Sequence, residues 1–128
     1  MAEAELVLVA ALKAHFSTAR VATETPGTLE TVLPCIVVTR FGGSEDEVST
    51  FDNPAMDFDC YAATRGEART LAHAVRDCIR NDLPGQIFAG AAISRTRTIS
   101  GPTWTPYDNT ALRRFTYSAR IRLHSLEA

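Results

Sequence analysis

A chain of 128 residues, 45% of them apolar, holds one globular domain with a modest core. Its net charge of −2 and pI near 5.9 argue against a general DNA-coating role, which needs a basic surface. Three cysteines, Cys35, Cys60 and Cys78, are an odd number, each within an apolar pattern, so they read as buried reduced thiols of a reducing cytoplasm and not as a disulfide framework.

The first predicted element is a helix from about Ala2 to Phe16. Leu8, Leu12 and Phe16, with Val9 beside them, form its stripe, and Leu6 and Val7 fall partly outside it. A helix apolar nearly all round wants cover on more than one side, from a thick core or from a subunit contact. The segment carries acids and no basic n-region, so it does not read as a signal peptide. Its apolar run, Leu6 to Leu12, is too short to span a membrane.

Arg20 to Thr25 reads as a short strand stopped by Pro26-Gly27, and Thr28 to Leu33 as a connector with room for one helical turn. Pro34 opens a strand from Cys35 to Phe41. Its consecutive Ile36-Val37-Val38 predict burial on both faces, and Gly42-Gly43 are expected to end it. Ser44 to Ala55 reads as a long acidic loop with Glu45, Asp46, Glu47 and Asp52. Met56 to Ala62 alternates as the next strand, Met56, Phe58 and Cys60 pointing one way and Asp57, Asp59 and Tyr61 the other.

Thr64-Arg65-Gly66-Glu67 reads as a capping box that starts a second helix. Ala68, Leu71, Ala72, Val75, Cys78 and Ile79 form its apolar face. Arg69, His73, Arg76 and Arg80 lie outside that face, and Leu83-Pro84-Gly85 ends the helix. The last third predicts two strands, about Ala91 to Ile99 and about Arg113 to His124. The second buries Phe115, Tyr117, Ala119, Ile121 and Leu123. The sum is an α+β fold in the order α-β-β-β-α-β-β: a mostly antiparallel sheet of about five strands with two helices packed on it, in a single domain over residues 1–128.

No catalytic constellation stands out. Asp57 and Asp59 share one strand face about 7 Å apart. With Asp52 or Asp108 they could hold a divalent cation, as in a small metal-dependent nuclease. The favoured alternative is cross-strand pairing with Arg114, Arg120 or Arg122, or with a neighbouring subunit. His15, His73 and His124 sit on separate elements, with no H-x-x-H or C-x-x-C spacing, so no zinc site is expected. Nucleophile elbows and phosphate-binding glycine loops are absent. The reading is a chain without enzymatic activity, cofactor or metal. Arg95, Arg97, Arg113, Arg114, Arg120 and Arg122 give the final hairpin a basic surplus, read as a contact face or as intra-sheet pairing.

The most informative stretch runs from Ile93 to Asn109. It is strand-like, is expected to turn at Gly101-Pro102, shows the only tryptophan, and ends in Pro106-Tyr107-Asp108-Asn109. Trp104 and Tyr107 offer large rigid area, suited to a contact surface or to packing their own loop. Ser100-Gly101-Pro102, Trp104 and Pro106 to Asn109, followed by the alternating basic last strand, resemble the tail terminator proteins of long-tailed bacteriophages, particularly those of actinobacterial phages. Val21 to Pro26, Leu33 to Val38, Gly42-Gly43, Phe58 to Arg65 and the Ala- and Arg-rich helix agree in order, so the resemblance covers nearly the whole chain.

The resemblance implies a virion protein, assembled in the host cytoplasm, whose small α/β subunits form a homo-hexameric ring. That ring caps the head-proximal end of the tail tube, stops tube polymerisation and meets the head–tail connector or neck proteins. DNA only passes through its lumen, and no membrane is involved. Ring closure joins two different patches of one subunit. The candidates are Trp104, Pro106, Tyr107, Asp108, Asn109, Arg114, Arg120, Arg122, Asp57 and Asp59, with Glu45, Asp46 and Glu47 as lumen-facing carboxylates. Another neck component, a head–tail adaptor or tail-completion protein, is the nearest alternative.

Overall fold

The alternation of Met56, Phe58 and Cys60 against that of Phe115 to Leu123 makes these two strands the centre of one sheet, because each must bury the same face. The structure, a computed structural model, describes residues 3–45, 51–109 and 111–126. Its elements are α1 (Ala4–His15), β1 (Arg20–Ala22), a 3-10 turn (Leu29–Thr31), β2 (Cys35–Glu45), β3 (Phe51–Ala62) and α2 (Arg65–Asp77), which runs into a π-turn (Cys78–Asp82). β4 (Ile87–Phe88), β5 (Ala91–Trp104) and β6 (Arg113–Ser125) follow. The six strands lie in the order β1-β2-β3-β6-β5-β4. Only β1 and β2 run parallel. The α+β class and the two-helix layer are as expected, with the two-residue β4 as an additional strand.

Both helices cover one face. Val7, Leu8, Ala11 and Leu12 of α1 and Ala68, Ala72 and Val75 of α2 pack with Ile36, Val38, Phe58, Tyr117 and Ile121 in the main core. Val7 is fully buried and belongs to the α1 stripe, whereas Val9 and Phe16 are half-buried and Leu6 is 57% exposed. Leu71 is likewise only half-buried. The α2 cap forms with one change. The Glu67 amide donates to Thr64 Oγ1 at 3.2 Å, but the Glu67 carboxylate accepts from the Thr64 hydroxyl at 2.9 Å and not from the Thr64 amide.

The opposite, outer face carries a second small core of Leu29, Cys35, Val37, Tyr61 and Leu112 under the loops that enter β2 and β6. It explains the apolar run of β2: Ile36 and Val38 face the helices and Val37 faces the loops.

Two punctuation signals act differently from their sequence reading. Gly42-Gly43 do not end β2. They follow a bulge between Arg40 and Gly42, and the strand continues to Glu45. Much of the expected acidic loop is therefore β2–β3 hairpin, paired from Gly42↔Ala55 to Glu45↔Asp52. Gly101-Pro102 do not turn the chain either. β5 runs through them to Trp104 with a local register shift between Ser100 and Thr103.

Candidate functional site

Outer-face side chains of β3 and β6 meet in register, Asp57 opposite Ser118 and Asp59 opposite Thr116. The Thr116 hydroxyl donates to Asp59 Oδ1 at 2.7 Å, and the Ser118 hydroxyl donates to Asp57 Oδ1. The acids thus pair across the strands as expected, but with hydroxyls in place of arginines. Burial raises the Asp59 pKa above its ordinary value, against the Thr116 bond and the Arg114 charge. Asp52 points to the other face, where Arg40 holds it. The Asp52, Asp57, Asp59 and Asp108 carboxylates form no metal-sized group.

One ligand group does occur among the described residues. His15, at the end of α1, converges with Cys78 and Asp82 of the π-turn, their ligand atoms within 4.8 Å of one another. Sequence spacing hid it because the π-turn and α1 meet only in the fold. Gln86 lies across it: His15 Nε2 bonds Gln86 Oε1 at 3.2 Å, and Gln86 Nε2 donates to the Asp82 main-chain carbonyl at 2.7 Å. Burial pushes the Cys35 thiol up to about 11 and the Cys78 thiol up to about 12, and raises Cys60 as well, so none is poised as a thiolate nucleophile.

The loop after β5 folds back on its own subunit. Trp104 is half-buried, edge-on to Phe115 at 5.7 Å between centroids, with the Arg65 guanidinium 4.5 Å from its ring centre. Tyr107 meets Tyr61 edge-on at 5.2 Å. Arg114 lies 5.0 Å over Tyr107 and donates to the carbonyls of Thr105 at 3.3 Å and Pro106 at 2.9 Å. The Asn109 side chain accepts from the Ala111 amide at 2.9 Å. Pro106 and Asp108 are left exposed at the tip. Arg114 is therefore committed within its own loop, apart from Arg120 and Arg122.

Arg120 and Arg122 instead meet Arg97 and Arg95 across the β5–β6 ladder. Arg122 donates to Asn53 Oδ1 at 2.9 Å and covers the Phe51 ring at 4.1 Å. Arg95, Arg97 and Arg120 are exposed. Glu45 ends β2, and Asp46 and Glu47 lie outside the described residues.

A family model described as phage tail termination protein matches residues 1–123. Comparison with curated protein sequences gives no match. Among solved structures, a chain of a native gene transfer agent (GTA) particle virion is similar with a TM-score of 0.55 and 17% sequence identity, over 95% of this chain and 90% of that chain. At that identity the likeness is one of fold.

Proposed function

We propose that this chain, which belongs to the phage tail termination protein family, forms a hexameric ring that caps the head-proximal end of a long phage tail tube. Family membership makes it a structural, non-catalytic component of a phage virion. The finer reading is that the ring halts tube polymerisation, presents its other side to the head-side neck, and lets DNA pass. The phage in this reading is of the long-tailed siphovirus type, in line with the resemblance to the terminators of actinobacterial phages.

The family match over residues 1–123 carries this reading and favours it over a head–tail adaptor. The geometry supports a head-to-tail contact, which needs two different patches. Leu6 and Phe41 expose 57% and 53% of their surface on α1 and on the bulged part of β2. The loop tip at Pro106 and Asp108 lies at the other end of the strands, braced by Trp104, Tyr107, Arg114 and Asn109. A tip held this firmly loses little entropy on contact.

Electron microscopy of the protein mixed with its tube subunit tests the reading. Six-fold rings at tube ends and tubes of limited length are expected. Tubes that grow on without end rings would remove the assignment.

A further inference from the structure

Six arginines gather on and beside β5: Arg95 and Arg97 of β5, Arg120 and Arg122 of β6, Arg76 of α2 and Arg80 of the π-turn. On the outer face, Arg95 lies opposite Arg122 and Arg97 opposite Arg120 in the β5–β6 register. Like charges directly opposite each other work against pairing of the two strands. These four residues line a cavity of about 400 Å³ with Asn53 and Thr96. Thr96 and Arg97 also line a second cavity of about 400 Å³, together with Arg76 of α2 and Arg80 of the π-turn. Thr96 and Arg97 of the edge strand thus border both cavities.

Among the described residues counter-charge is scarce along this band: no carboxylate pairs with Arg80, Arg95, Arg97 or Arg120. Arg76 has only the exposed Asp77, at 3.0 Å. Asp57 and Asp59 on the same outer face are bonded to Ser118 and Thr116. Set against a chain charge of −2, these six cations leave −8 for the rest of the molecule.

The lining decides the ligand class. Arginine, threonine, asparagine and glycine make up both cavities, without an apolar side chain. The core of a protein interface uses arginine beside aromatic and apolar anchors, and these two cavities offer arginine without such anchors. A phosphate backbone asks for forked guanidiniums with hydroxyl and amide donors beside them. We propose that this arginine band binds the phosphate backbone of double-stranded DNA without reading its sequence. The inference rests on the tail-terminator reading for where DNA is met, in the genome that the tail conducts.

Fluorescence anisotropy with a labelled mixed-sequence DNA duplex tests it. The unmodified protein is expected to bind at low salt, with affinity falling linearly on a log–log plot. Arg95→Gln with Arg120→Gln should weaken binding about tenfold and flatten the salt slope by about 2. Lys13→Gln with Arg20→Gln, a charge-matched change away from β5, should leave binding within about twofold. Thermal melts of both variants at or above the parent value keep folding out of the result, because glutamine retains the stem and removes repulsion.

Three outcomes overturn the proposal: no binding by the parent protein at low salt, an equal loss in the control variant, or a poly-glutamate peptide that binds as tightly as the duplex and displaces it. The last would assign the band to an acidic protein. Tube capping is scored in parallel. A β5–β6 variant that still caps tubes but has lost DNA leaves both readings standing, whereas DNA binding by a protein that caps no tubes removes only the terminator reading.

Discussion

Asp52 closes on Arg40 in a fork, its Oδ2 accepting from Nη1 at 2.7 Å and its Oδ1 from Nη2 at 2.9 Å. Asp52 is 5% exposed, and the Arg40 side chain 28%. The Arg40 amide, on the outer edge of β2 beyond the end of β1, donates to Glu5 Oε2 of α1 at 2.9 Å. One residue at the bulge thus ties β2 to β3 and to α1. Replacing Asp52 by Ala should cost about 2–4 kcal/mol in denaturant melts, since it removes both charge-assisted bonds of a mostly buried fork. Arg40→Met with Asp52→Leu should recover much of the loss, because apolar packing replaces a buried ion pair well. A double variant no better than Asp52→Ala would show that the bulge itself needs the charge.

Gly43 is the second constraint at the same place. Its φ is +102°, and a β-carbon there would lie 2.1 Å from the Asn53 carbonyl oxygen. The contact is with backbone, so no side chain can move to make room. Gly43→Ala should destabilise by at least about 2 kcal/mol or shift the β2–β3 register. Amide hydrogen exchange across residues 35–62 reads either effect, and unchanged protection there would contradict the close approach.

These two positions show where sequence reasoning stops. The β6 alternation and the α2 capping box were legible because each is set by residues a few places apart. Gly42-Gly43 looked like a stop because a turn and a bulge both use glycine's freedom, and only the facing strand tells them apart. The alternation of β3 puts Asp57 and Asp59 on one face, yet their partners follow from register, which sets them opposite Ser118 and Thr116. The arginine band is legible in part, since the sequence shows the basic surplus of Arg95, Arg97, Arg120 and Arg122 on the final hairpin. Arg76 and Arg80 read as the solvent side of a helix, and only the packing of α2 and its π-turn against β5 brings them to Arg97. A net charge of −2 averages such a band away.

Leu71 and Val75 separate a buried face from its margin. Val75 is fully buried against the sheet, whereas Leu71 is half-buried and lines a surface cleft with Leu33 and Pro34. Val75→Ala should therefore cost about 1–3 kcal/mol and Leu71→Ala less, near 1 kcal/mol, because a surface cleft can refill with water or neighbouring side chains. Arg76→Ala should stay under about 1 kcal/mol. Thermal melts that rank Leu71 above Val75 would mean that the cleft is closed in solution, as by a neighbouring subunit.

Asp59 gives a pH dependence of unusual sign. Burial raises its pKa above the ordinary carboxylate value, and the nearby Asp57 adds to this, while the Thr116 hydroxyl and the Arg114 charge act in the opposite direction. The folded protein then holds this proton more tightly than the unfolded chain does. The ionised carboxylate opposes folding at pH above its folded pKa, and that cost disappears as the pH falls below the unfolded value of about 3.9. Asp59→Asn keeps an oxygen for the Thr116 hydroxyl and removes the charge. The variant should be more stable than the parent at about pH 7, with the advantage shrinking toward about pH 3. Melting temperatures of the two proteins across that range check the sign. An advantage that grows in acid would mean that attraction to Arg114 outweighs burial at this site.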